Sequence, residues 1–105
     1  MFTDSHCHLS FPPLSEQLPA IRAAMQAAQV GRALCICTTM EEFPAVHALA
    51  LGYDNFWCSV GVHPDNEGVA EPPVQELVER AAWPREVAIG ETGLDFNRNL
   101  SPPAI

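Results

Sequence analysis

Arg32-Ala33-Leu34-Cys35-Ile36-Cys37-Thr38 (RALCICT) is a nearly continuous apolar run, too short for a helix and without polar alternation. A run of that kind suits a strand covered on both faces, the situation in parallel sheets. Three further segments have the same character: Met1–Asp4, Phe56–Val62 (FWCSVGV) and Glu86–Gly90 (EVAIG). The stretches between them carry helical periodicity. Leu18, Ile21, Met25 and Ala28 fall on one helical face, with Gly31 just beyond as a stop. Thr39-Met40-Glu41-Glu42 fits a capping box opening a helix to about Leu51, with Val46, Leu49 and Ala50 inward and Pro44 near its first turns. A third helix is expected from Pro72 or Pro73 to Ala82, presenting Val74, Leu77, Val78 and Ala81. The order β-α-β-α-β-α-β implies right-handed βαβ units and a parallel sheet. Four such strands make either a small open α/β sheet or half of a closed barrel.

The bulk composition narrows the class. The chain has 105 residues, 48% of them apolar and 17% charged, which fits one small globular domain. Its net charge is −8, with five arginines and no lysine. Such a chain has no general electrostatic attraction to nucleic acid, so a phosphate substrate would need a metal or a local arginine. Cys7, Cys35, Cys37 and Cys58 lack C-x-x-C spacing and read as free, mostly buried thiols of a reducing compartment. No signal-like start and no long apolar window occurs, so a cytoplasmic protein without membrane or stable protein partners is expected.

The polar residues at the strand tips carry the chemistry. In MFTDSHCHL, strand alternation would put Asp4, His6 and His8 on one face and Ser5 and Cys7 on the other. Two imidazoles about 6–7 Å apart along a strand can converge on one divalent ion. The third strand runs out in Gly61-Val62-His63-Pro64, and the fourth in Ile89-Gly90-Glu91-Thr92-Gly93. Parallel α/β folds place ligands at the C-terminal ends of their strands. One sheet end would therefore gather His6, His8, His63 and Glu91 from distant parts of the chain. Trp57, Trp83 and the remaining phenylalanines read as packing, Cys35 and Cys37 as core thiols, and His47 as a surface or interhelical residue.

DSHCHL, VGVHP and AIGETGLDF, in this order, resemble the TatD family of metal-dependent hydrolases over essentially Met1 to Arg98. The resemblance implies a (β/α)₈ barrel of the amidohydrolase kind, with 1–105 a single incomplete domain supplying about four βα units. It implies a deoxyribonuclease-like activity, hydrolysis of DNA or another phosphodiester by metal-activated water. It assigns His6, His8 and Glu91 as metal ligands and puts His63 beside the site, against phosphate. Asp4 is expected to orient a ligand from behind, and Asp95 and Arg98 match neighbouring positions. Two divalent ions, Mg²⁺, Mn²⁺ or Zn²⁺, suit mixed imidazole and carboxylate ligands.

The family's later histidines and its general-base aspartate have no counterpart in these residues. A barrel of this kind takes about 250 residues, so a truncated or frameshifted product, inactive by itself, is expected. Two other readings remain: a phosphoesterase of the polymerase-and-histidinol-phosphatase type, which also opens with an H-x-H strand, and a non-enzymatic metal-binding or interaction module. Against the first, the chain continues LSFPPLSEQLP where a Ser/Asp-Gly turn is usual.

Overall fold

The computed structural model describes residues 1–64 and 72–93. Four parallel strands, β1 (Phe2–Cys7), β2 (Val30–Cys35), β3 (Phe56–Val60) and β4 (Glu86–Ile89), form one sheet in the order β1-β2-β3-β4. The crossovers contain α1 (Leu18–Ala27), α2 (Phe43–Gly52) and α3 (Val74–Ala81), with a short 3-10 turn at Leu14–Glu16 before α1. Pro19 and Pro44 sit in the first turns of α1 and α2, where a missing N–H costs no helical hydrogen bond.

Several boundaries differ from those expected. β1 continues past Asp4 to Cys7, which brings His6 into the strand. β2 ends at Cys35 rather than Thr38, so Cys37 lies beyond the strand although it is fully buried. The stop of α1 is Gln29, in the left-handed region at φ 63, rather than Gly31, which belongs to β2. Ala28 is exposed, whereas Leu18, Ile21 and Met25 pack against the core. The Thr39 hydroxyl accepts the Glu42 N–H at 3.1 Å, but the Glu42 carboxylate takes the Thr38 hydroxyl, so the box is not reciprocal and α2 starts at Phe43. On α3 only Leu77 and Ala81 reach the core; Val74 and Val78 are exposed.

A register shift in β1 also changes the facing of its side chains. Asp4 pairs with Ala33 but Cys7 with Cys35, three steps against two. The bulge breaks the simple alternation. Cys7 packs with the buried cluster, whereas Ser5 joins Thr3, Arg32, Leu34 and Trp57 in lining an apolar hollow. Asp4 and the two histidines therefore do not follow from a single parity.

The core lies between the sheet and its helices. Ala33, Cys35, Phe56 and Cys58 pack with Val46 and Ala50 of α2, and α1 contributes Leu18, Ile21 and Met25. Cys37, Phe43 and Val60 form a second cluster beneath Leu77 and Ala81 of α3. His47 stacks on Phe43 at 5.5 Å and its Nε2 lies 2.9 Å from the Pro84 carbonyl, so it joins α2 to the segment before β4. Three of the five arginines lie against aromatic faces: Arg22 over Tyr53, Arg80 over Phe43 and Trp83, and Arg85 over Trp57. Arg85 also donates to the Asp54 carbonyl at 3.0 Å. Phe2 is exposed, contrary to its reading as packing. No helix among the described residues is long and apolar enough to cross a membrane.

One buried acid stands at the start of β4. Glu86, 9% exposed, accepts the Cys58 thiol on Oε2 at 3.0 Å, while Oε1 is buried without a partner among the described residues. Burial outweighs that hydrogen bond and raises its pKa from 4.5 to about 7. Below pH 4.5 the carboxyl is protonated whether the chain is folded or not. Between pH 4.5 and about 7 the unfolded chain ionises first, so stability falls as pH rises and then levels off. The Glu86→Gln variant should therefore gain stability over the parent above pH 7 and lose that advantage near pH 4.5, as urea unfolding at the two pH values would show.

Candidate metal centre

The C-terminal ends of β1, β3 and β4 meet at one carboxylate. His6 is the penultimate residue of β1 and His8 lies one residue beyond its end. The Asp4 carboxylate accepts the His6 N–H at 3.0 Å, so Asp4 holds the backbone of His6 rather than its ring. His63 follows β3, and its N–H donates to the Thr38 carbonyl at 2.8 Å. Beyond β4, the Gly90 N–H donates to the Val60 carbonyl at 2.9 Å and the Glu91 N–H to the Cys37 carbonyl at 3.2 Å. The backbone thus delivers Glu91 to the space between the histidines.

Glu91 divides its two oxygens among three imidazoles. Oε2 is 3.7 Å from His6 Nε2 and 3.9 Å from His8 Nε2, and Oε1 is 3.2 Å from His63 Nε2. The His6 and His8 rings meet edge to face at 5.1 Å, and His8 stacks on Phe11 at 4.8 Å with 15° between planes. Glu91 is 23% exposed and His6 53%, so the centre is open on the His6 side. His8 Nδ1 is buried and lacks a hydrogen-bond partner among the described residues.

These donors suit a divalent cation. One ligand atom from each of His6, His8 and Glu91 lies within 4.8 Å of the others. Ligands about 2.0–2.2 Å from an ion stand roughly 3–3.5 Å apart, so the separations to Glu91 need to close only slightly. Two imidazoles and a carboxylate match borderline and hard divalent ions such as Zn²⁺ and Mn²⁺. Asp95 and Arg98, singled out in the sequence, lie outside the described residues.

Three residues that shape the centre escape a reading by residue type. Ser59 is fully buried; its hydroxyl accepts the Cys37 N–H at 3.1 Å and donates to the Gly90 carbonyl at 3.0 Å. Its only signal is a lone hydroxyl within FWCSVGV. Gly61 faces the backbone of Gly90, where an added Cβ would stand 2.7 Å from the carbonyl carbon and oxygen and 3.0 Å from the Glu91 carbonyl oxygen. Phe11, read as packing, supports the His8 ring.

Successive parallel βα units with a polar cluster at the ends of their strands define the class, an α/β fold with a candidate metal site at the C-terminal ends of its strands. The chain belongs to the TatD related DNase family, whose model matches residues 3–104. It is 42% identical over 78 residues to the 3'-5' ssDNA/RNA exonuclease TatD of Escherichia fergusonii, covering 73% of this chain and 30% of that protein. It is 36% identical over 100 residues to YjjV of Escherichia coli K12, described as a metal-dependent hydrolase, covering 90% of this chain and 38% of YjjV. The crystal structure of YjjV superposes with a TM-score of 0.80 at 34% identity, again over 90% of this chain and 38% of that one. The described strands are therefore βα units of the TatD barrel, and the chain spans about a third of the length of these relatives.

The two supports of Glu91 differ in kind, and substitution separates them. Ser59→Ala leaves the buried Cys37 N–H and Gly90 carbonyl unmatched, which should cost about 1–3 kcal/mol in urea unfolding. Gly61→Ala forces Gly90 and Glu91 away from β3 and should weaken Mn²⁺ binding in calorimetry more than Ser59→Ala does.

Proposed function

We propose that the chain carries the metal-ligating part of a phosphodiester hydrolase acting on single-stranded DNA or RNA. Residues 1–105 belong, on this reading, to one hydrolase domain. The observation that carries it is the convergence of His6, His8 and His63 on the two oxygens of Glu91. The exonuclease named among the relatives supports the substrate class, and the metal-dependent hydrolase YjjV supports the cofactor.

His6, His8 and Glu91 would hold the metal, with Mg²⁺, Mn²⁺ and Zn²⁺ as the candidates. A divalent ion bound there supplies Lewis-acid polarisation of a phosphoryl oxygen and a more acidic water. Two ions are proposed, with His6, His8 and Glu91 as the ligands these residues would contribute. His63 stands beside the ligand cluster, where its imidazole can donate to a phosphate oxygen once it leaves Glu91. Asp4 fixes the His6 backbone and so limits where that ring can swing. His6 is the most exposed of the three rings, so substrate enters past it. Asp95, four residues beyond Glu91, completes the proposed set of supporting residues.

Calorimetric titration of the reduced chain with Mn²⁺ tests the centre. Binding should weaken at least tenfold in His6→Ala, His8→Ala and Glu91→Gln and only modestly in His63→Ala; equal affinities in all four variants would refute the ligand assignment. Activity needs groups that the matching third of the relatives does not contain. The 105-residue chain should therefore degrade 3'-labelled single-stranded DNA no faster with Mn²⁺ than without it, and sustained metal-dependent turnover would contradict that.

A further inference from the structure

Between the two histidines of β1 stands Cys7, the register partner of Cys35 on β2. Neighbouring strands lie about 4.7–4.9 Å apart, which places register partners within reach of the roughly 4.4–6.8 Å Cα separation that a disulfide spans. The Cys7 thiol donates to the carbonyl of Leu34, the chain neighbour of Cys35, at 3.4 Å, and Cys7 packs against the cluster between the sheet and α1–α2 that holds Cys35. Cys35 also has a second register partner, Cys58 on β3. That thiol is committed elsewhere, donating to Glu86 Oε2 at 3.0 Å, and Cys37 donates to the Thr39 carbonyl at 2.9 Å. Cys35, Cys37 and Cys58 are all buried, and only Cys7 is partly exposed. One thiol is thus reachable from solvent and backed by a second that can resolve it.

We propose that Cys7 and Cys35 are an oxidisable pair, closed to a disulfide by hydroperoxides, which links redox state to the H-x-H end of β1. The Cys7 sulfur attacks the outer peroxide oxygen, the O–O bond breaks, and Cys7 becomes a sulfenic acid as water or an alcohol leaves. The Cys35 sulfur then attacks the Cys7 sulfur; the S–S bond forms, the S–O bond breaks, and the hydroxide leaves as water with the Cys35 proton. Both thiols are oxidised by two electrons in total, and one peroxide is reduced. Closure pulls Cys7 towards β2, and His6 and His8 move with it because they are its chain neighbours. The consequence for metal binding rests on the function proposed above; the disulfide itself does not.

The test treats the reduced chain with hydrogen peroxide, counts free thiols and maps the cross-link. Cleavage at arginine leaves Cys35, Cys37 and Cys58 in one peptide, Ala33–Arg80, so a second cut by chymotrypsin and a Cys37→Ser variant are needed. The expected product has lost two thiols and two hydrogens, joins Cys7 to Cys35, reverts with dithiothreitol, and still forms in Cys37→Ser but not in Cys7→Ser or Cys35→Ser. A Cys35–Cys58 link, over-oxidation of Cys7 without a link, or four unreacted thiols would overturn the proposal. Oxidation should also weaken Mn²⁺ binding at least tenfold. Equal affinity in both states would overturn the coupling, whereas absence of Mn²⁺ binding in both, with the disulfide formed, would count against the metal centre instead.

Discussion

The close approach of two backbones at Gly61 and Gly90 is the constraint on which the rest of the strand-end architecture depends. A side chain at Gly61 would collide with the Gly90 carbonyl, so β3 can lie against the exit of β4 only with glycine there. The Ser59 hydroxyl bridges the same gap, joining the segment after β2 to the segment after β4. Both contacts draw the two segments close together, which leaves the backbone little freedom. A carboxylate borne on that backbone inherits the restriction, and from it Glu91 reaches three imidazoles.

Much of this was legible from residue patterns because the burial rules for parallel strands are strong. The apolar runs at Arg32 and Phe56 announce strands covered by helices, and the helices begin and end within a few residues of the expected positions. The histidines and Glu91 were legible as strand-tip residues. What the pattern could not convey is local geometry. The β1 bulge depends on pairing with β2, which leaves no mark on composition, so the assumed alternation from Asp4 to His8 failed at Ser5. Gln29 takes the left-handed conformation that the glycine rule assigned to Gly31. Val74 and Val78 have the apolar spacing of a buried face yet lie in the open, because α3 meets the sheet only through Leu77 and Ala81.

The helix-facing side of the sheet carries its own chemistry. Cys7, Cys35 and Cys58 occupy matched positions on three neighbouring strands, and Glu86 continues the row as the partner of Cys58 on β4. A thiol row packs like a row of small hydrophobes, which explains how a sheet can place it under two helices without charge. Glu86 is the exception, since its carboxyl has one buried oxygen without a partner among the described residues. A core that accepts such a group holds it best as the neutral acid, in keeping with its raised pKa.

The stacked arginines have a consequence for encounter kinetics. Arg22, Arg80 and Arg85 lie over aromatic rings, and Arg85 is further tied to backbone carbonyls, so these guanidinium groups are committed to the protein itself. With a net charge of −8 the chain surrounds itself with a field that repels a polyanion. Raising the ionic strength shortens the Debye length, to about 10 Å at 0.1 M, and damps that repulsion. The diffusional approach of a polyanion to this chain therefore quickens with added salt, the reverse of what a basic nucleic-acid-binding surface does.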